Sequence, residues 1–231
     1  MNIRTLINAI YRRYRQFFNQ RLMNAHRKRV NPILGNGERY DPYLATLIGA
    51  NAPCHIERYE FAKKYMSMQD SVLDIACGTG HGTARVSEVC KCAVGVDISP
   101  IAIKYAQKEY CKQNTKFIVS DFFSNNITAD IVLSFETIEH LKVDTIQKVL
   151  DKLVLFSKKR IIGSVPYKEM RGSNPHHFLF NLNETHFQKL GSLGKVDFFY
   201  QTADGKIFHE KPEGFFIQNL IFMFQKKEGT T

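Results

Sequence analysis

The chain has 231 residues, 44% of them hydrophobic and 23% charged, which suits one globular domain and excludes a low-complexity, disordered chain. Its formal net charge of +10 is unevenly placed: eight Lys or Arg and no acid lie between Met1 and Gly37, leaving 24 of the 32 basic residues against 22 acids in the rest. A nearly neutral body weighs against a nucleic-acid surface around a central site, and five cysteines with no repeated metal spacing fit reduced thiols in a cytoplasmic protein.

Residues 3–23 read as a helix, with Ile3, Leu6, Ile7, Ile10, Tyr14, Phe17 and Phe18 on one side and Arg4, Arg12, Arg13 and Arg15 on the others. Residues 1–30 thus form a basic amphipathic helix suited to an anionic membrane interface, a peripheral association rather than a span; its apolar stripe would also suit docking on protein. Residues 31–54 carry prolines and glycines and read as a linker or lid. Residues 55–231 form the main domain, beginning with a short helix from His55 to Met66.

From there strands and helices alternate. Strands are expected at Ser71–Ala76, Cys92–Ile98, Lys116–Asp121, Asp130–Phe135 and Arg160–Val165, and helices at His81–Val89, Pro100–Lys112 and Asp144–Ser157. This order implies parallel strands with crossover helices, a doubly wound α/β sheet. A helix capped by Asn183 and running to about Leu190 follows. Then Lys195–Gln201 and Gly214–Gln225 form an antiparallel pair around a turn at Ala203-Asp204-Gly205. The stretch "GFFIQNLIFMF" from Gly214 to Phe224 is too short to cross a bilayer and carries Gln218 and Asn219.

The segment "VLDIACGTGHG", Val72 to Gly82, has glycines at alternate positions directly after a strand, so the backbone there turns sharply and admits a close contact. Asp97 ends the second strand in "AVGVDIS", where a carboxylate can accept both hydroxyls of a ribose, with Ile98 beside it. Asp121 ends the third strand in "FIVSDFF", placed for an adenine edge with Phe122 beside the ring. The set fits an adenosine ligand. The spacing Gly78-x-Gly80-x-Gly82 with Asp74 before it and no Lys or Arg nearby suits a ligand carrying an ammonium group better than a pyrophosphate.

After the fourth strand, Glu136, Glu139 and His140 in "FETIEHL" stand at i, i+3 and i+4, which places all three on one face of a short helix. His140 is the choice of general base, with Glu139 beside it. His176 and His177 in "GSNPHHF" belong to a loop able to close over the same mouth. Two carboxylates and an imidazole, joined by a later histidine, would also suit Mg²⁺ or Mn²⁺.

In order and spacing, "VLDIACGTGHG", "VGVDIS", "FIVSDFF" and "DIVLSFETIEHL" resemble the class I S-adenosylmethionine-dependent methyltransferases. The resemblance covers about residues 55–202. It implies a seven-stranded, mostly parallel sheet with an antiparallel last strand, and S-adenosylmethionine held by Asp74, Ala76, Gly78, Gly80, Asp97, Ile98, Asp121, Phe122 and Glu136. At Ala76 many members carry the first glycine, and alanine is expected to be a mild change there. The "ExxEH" element is similar to that of small-RNA 2′-O-methyltransferases, where it holds a metal with another His; many small-molecule methyltransferases carry a similar element without that role. A metal-independent reaction is expected here. "NGERYDPY" and "HIERYEFA" resemble segments before the first strand in bacterial methyltransferases of surface-glycan biosynthesis. That implies Arg58 and Tyr59 at the cofactor's methionine end and Tyr40 closing the site. The leading expectation is O-methylation of a small-molecule or glycan acceptor near a membrane; the alternatives are an RNA methyltransferase with a metal at the ExxEH element, and an inactive cofactor-binding scaffold.

Overall fold

A computed structural model describes residues 30–35, 39–47 and 52–227. The expected amphipathic helix over residues 1–30 lies, but for Val30, outside the described residues. The chain divides into two compact units, Met1–Asn51 and Ala52–Thr231. Within the described part of the first are a helical turn at 30–34 and helix α1 (Pro42–Leu47), begun by Asp41, whose Oδ1 accepts the Leu44 amide at 2.9 Å.

The second unit opens with α2 (Pro53–Lys63) and continues as β1 (Ser71–Ile75), α3 (His81–Val86), β2 (Cys92–Asp97), α4 (Pro100–Glu109), β3 (Thr115–Val119) and β4 (Ala129–Phe135). A 3-10 turn at Ile138–His140 leads to α5 (Ile146–Phe156), which passes directly into β5 (Ser157–Pro166). Two further 3-10 turns precede β6 (Gly194–Thr202), β7 (Ile207–Phe208) and β8 (Ile217–Lys226). Sequence punctuation sets these ends. Proline stands in the first turn of α2 and α4, where its missing N–H costs nothing, and the Ser99 hydroxyl caps α4 by accepting the Ala102 amide.

The strands form one sheet in the order β3-β2-β1-β4-β5-β8-β6-β7. β1, β2, β3, β4 and β5 pair in parallel, while β8 runs antiparallel between β5 and β6. The expected doubly wound sheet is therefore present, with the two-residue β7 added at the edge. The Asn183 cap also forms, but on the 3-10 turns Glu184–His186 and Gln188–Ser192 instead of one helix.

Alternation along the strands builds two cores. Leu73 and Ile75 of β1 face one side with Leu150, Leu153 and Phe156 of α5, while Val72 faces the other with Tyr59 and Ala62 of α2. Leu150 and Leu153 have no exposed surface, so truncating either to Ala would cost about 2–5 kcal/mol. The consequence for function is topological. The chain leaves β1 toward β2 and β3, then returns to β4 on β1's other side, so the loops after β1 and β4 diverge and open a crevice at the carboxyl ends of the strands.

Candidate active site

The glycine-rich loop after β1 explains its own spacing. Ala76, Gly78 and Gly80 take φ of 56°, 56° and 86°, a left-handed residue at every second position. A Cβ on Gly80 would lie 2.6 Å from the Ala106 Cβ and 2.7 Å from the Phe117 ring, and one on Gly82 would fall inside the Tyr59 ring. Gly82 is therefore what lets Tyr59 lie across the start of α3. Ala76 holds this left-handed backbone with a Cβ, at a cost of about 1–2 kcal/mol.

The loop is tied to both neighbouring acids. Gly78 N donates to Asp97 Oδ2 at 3.0 Å, and Ser99 N donates to Asp97 Oδ1 at 2.8 Å. Asp74, 1% exposed, accepts the Thr83 hydroxyl at 2.6 Å and the Tyr59 phenol at 3.3 Å. Burial raises its carboxyl to about 7 against those two bonds, and raises the Tyr59 phenol well above its usual value, which keeps it a donor.

Asp121 and Phe122 follow β3. Asp121 is exposed, and its Oδ1 accepts the amides of Phe123 at 2.9 Å and Ser124 at 3.2 Å. Phe122 corrects an expectation: its ring is buried in the core, edge-on to Phe156, and cannot stack on a ligand. Phe123 is the neighbouring aromatic with 42% exposure, and Ile98 is 64% exposed at the end of β2.

Arg58 differs from the expectation too. It is 1% exposed and held within the protein, 2.9 Å from His55 Nδ1, 3.4 Å from Gln201 Oε1 and 3.5 Å from Glu136 Oε1. Burial and the guanidinium push His55 down to about 2, so the imidazole is neutral and accepts from Arg58. Tyr59 reaches Asp74, as described, while Tyr40 belongs to the other unit.

Glu136 is not on a helix with Glu139 and His140. It takes a left-handed φ of 49° at the end of β4, and the helical segment is only the three-residue turn Ile138–His140. Glu136 accepts the Ser164 hydroxyl at 2.7 Å and the Asn219 amide at 2.8 Å, which turns it toward Arg58. Glu139, 1% exposed, has both carboxyl oxygens buried without a hydrogen-bond partner. Burial, then repulsion from Glu136, raises its pKa well above the usual carboxylate range.

The loop after β5 supplies the partners. The Glu139 carbonyl accepts the amides of Phe178 at 2.7 Å and Leu179 at 3.2 Å, which fastens that loop to the 3-10 turn. His177 comes to rest edge-on to His140, ring centroids 4.6 Å apart. His140 Nδ1 lies 3.3 Å from the His176 carbonyl and His177 Nδ1 lies 2.5 Å from Glu169 Oε2. A carbonyl or carboxylate oxygen can only accept, so each Nδ1 carries a proton, and in the neutral imidazole Nε2 then holds the lone pair. Asn174 Nδ2 stands 3.0 Å from His177 Nε2. One donor atom each from Glu139, His140 and His177 lie within 4.8 Å of one another.

Sequence reasoning missed Ser164, Glu169, Gln201 and Asn219. Only Asn219 left a signal, a polar residue within an apolar strand, where it is 1% exposed.

A family model described as a methyltransferase domain matches residues 72–159. Among solved structures, the N-methyltransferase NodS from Bradyrhizobium japonicum WM9, in complex with S-adenosyl-L-homocysteine, superposes with a TM-score of 0.61 at 18% identity, covering 88% of this chain and 99% of that one. Magnesium protoporphyrin IX methyltransferase (ChlM) from Synechocystis PCC 6803 gives 0.56 at 14%, covering 92% and 99%. The methyltransferase domain of bacterial CtHen1 gives 0.57 at 19%, covering 74% and 99%. No curated protein sequence matches significantly. Residues 72–159 therefore carry a methyltransferase domain, and the chain that holds them has the class I, S-adenosylmethionine-dependent methyltransferase fold.

Proposed function

We propose that the chain transfers the methyl group of S-adenosylmethionine to an oxygen of a small-molecule or glycan acceptor, with His140 as the base. The observation that carries this is that two unlike groups follow the carboxyl ends of paired parallel strands, the Asp74–Gly78–Asp97 cradle after β1 and β2 and the Glu139–His140–His177 cluster after β4 and β5, with the Thr137 hydroxyl donating to the Ile75 carbonyl at 3.4 Å between the β4 and β1 ends. In this reading Asp97 accepts the ribose hydroxyls, Ile98 and the Asp121 turn border the adenine, and Asp74 with the Ala76–Gly80 loop faces the methionine end. The acceptor oxygen attacks the methyl carbon, the carbon–sulfur bond breaks with its electron pair left on sulfur, and the acceptor proton passes to His140 Nε2. Labelled cofactor with a panel of hydroxylated acceptors tests it. Transfer to nitrogen or carbon acceptors alone would overturn the oxygen assignment.

The reading extends to a cytoplasmic protein acting beside a membrane, on the strength of the basic, apolar-striped residues 3–23. Among the described residues no helix is long and apolar enough to cross a bilayer. The full-length protein is expected to sediment with anionic vesicles in a salt-sensitive way and to lose this on deletion of residues 1–30. A full-length protein that ignores vesicles removes the membrane from the proposal.

One observation favours a second reading, a divalent ion at Glu139, His140 and His177. Both imidazoles donate Nδ1–H to an oxygen, an arrangement that steers Nε2 toward a metal, and Glu139 buries two acceptor oxygens with nothing bound. The ion would displace the Asn174 contact to His177 and supply a Lewis acid for the acceptor oxygen. Mn²⁺ binding followed by electron paramagnetic resonance decides it: tight binding lost in Glu139→Gln supports the ion, and no binding together with full activity in EDTA removes it.

A further inference from the structure

The loop after β5 encloses more than its histidines. Lys168, Glu169, Arg171, Phe178, Phe180 and Asn181 contribute to the wall of a cavity of about 420 Å³, within the size range of small-molecule sites. Its walls are held firmly. Lys168 N donates to the Leu182 carbonyl and Asn181 N to the Glu169 carbonyl, both at 2.8 Å, so the loop's two arms are paired as in a hairpin. Lys168 and Asn181 both take left-handed backbones, φ 52° and 55°. For lysine that conformation costs about 1–2 kcal/mol, strain of the kind that collects at ligand sites.

The charge in this cavity is not balanced internally. Neither Lys168 nor Arg171 makes an ion pair among the described residues. The one acid in the wall, Glu169, is held by His177 at 2.5 Å. Glu184, which feels the charge of Lys168, is already hydrogen-bonded by the phenols of Tyr167 and Tyr200. Arg171 lies against the Phe180 ring, its guanidinium carbon 5.7 Å from the ring centroid, and Lys142 Nζ is 4.8 Å from the centroid of Phe178. A guanidinium stacked on a ring keeps its edge N–H groups for a two-oxygen acceptor.

We propose that this cavity anchors the acceptor through an anionic group, a phosphate or a carboxylate, with Arg171 and Lys168 as its ligands and Phe178 and Phe180 flanking the adjoining apolar part. The inference rests on the methyltransferase reading of the crevice, because His177 joins the two places: it faces His140 on one side and is fixed by Glu169 of the cavity wall on the other. A molecule anchored at Arg171 would extend a neighbouring hydroxyl toward His140. The acceptor class is thereby narrowed to hydroxyl compounds bearing a nearby negative charge.

Calorimetric titration of the full-length protein, saturated with S-adenosylhomocysteine, with phenyl phosphate, benzoate and phenol tests this. At least one anion is expected to bind ten times or more tighter than phenol, and the tighter of the two distinguishes phosphate from carboxylate. In Arg171→Ala, an exposed position whose loss leaves the core intact, that affinity is expected to fall at least tenfold while S-adenosylhomocysteine affinity stays the same. Lys168→Gln should give a smaller fall. Anions that bind no better than phenol, or anion affinity unchanged in Arg171→Ala, would overturn the proposal. Absence of S-adenosylhomocysteine binding, with anion binding intact, would instead sink the methyltransferase reading and leave the anion site standing.

Discussion

The two halves of the crevice are built on opposite terms. On the β1–β2 side the buried acids are satisfied by the protein itself: Asp97 by two backbone amides, Asp74 by Thr83 and Tyr59. On the β4–β5 side Glu139 is buried with both oxygens unpartnered, and Glu136, Lys168 and Asn181 sit in left-handed conformations that disfavour side chains. The first half holds its shape without a ligand. Left-handed strain occurs in both, at Ala76 in the first, but the second also keeps polar capacity in reserve, as expected where a ligand completes the hydrogen bonding. In the proposed reaction this division suits transfer, since the methyl group must be presented in one geometry.

Four changes would break or sharpen that contrast. The largest effect is expected from His140→Ala, which should lower turnover about 10²- to 10⁴-fold while S-adenosylhomocysteine affinity, measured by calorimetry, is unchanged. If both fall together, the halves are not separable. On the other side, Asp97→Ala should weaken S-adenosylmethionine binding by about 1.5–3 kcal/mol, through the ribose contacts and the freed Gly78 amide. Unaltered affinity would remove Asp97 from the cradle.

A pH titration probes the same side. Burial holds the Asp74 pKa near 7, above its ordinary 3.8, so the cofactor-free folded protein binds a proton there that the unfolded chain has lost. This contribution to stability is complete below about pH 4 and fades as pH rises through about 7, with a slope of at most one proton. Denaturant midpoints from pH 4 to 8 should show the decline in wild type and not in Asp74→Asn. Matching profiles would mean that Asp74 is ionised as buried.

The smallest effect is a gain. Ala76→Gly relieves the left-handed alanine but adds freedom to the unfolded chain, for a net stabilisation of about 0.5–1 kcal/mol and a rise in Tm of a few degrees. A loss of stability would show that the Ala76 methyl makes contacts worth more than its strain.

Much of the β1–β2 half was legible because its signals are local. A strand, a turn with glycines at alternate residues and an acid at the next strand's end occur in chain order, and the structure joins them through the bonds from Gly78 N to Asp97 and from Cys77 N to the Val96 carbonyl. Phe122 misled because adjacency to Asp121 says nothing about side: in the turn after β3 the carboxylate stays at the surface and the phenylalanine takes the core. Arg58 misled for a related reason, since its partners Gln201 and Glu136 lie far along the chain.

By itself the sequence determined the doubly wound sheet and the place of the glycine loop within it. Periodicity, strand-end acids and glycine spacing are short-range properties written in consecutive residues. Tertiary structure alone decided which polar groups meet at the acceptor side. Asn219 and Ser164 claim Glu136, the loop after β5 carries His177 to His140, and Glu139 is left buried without a partner. The separations involved, 83 residues between Glu136 and Asn219 and 36 between His140 and His176, carry no local pattern. Such pairings are fixed only when the antiparallel β8 closes on β5 and the loop is fastened to the Glu139 carbonyl.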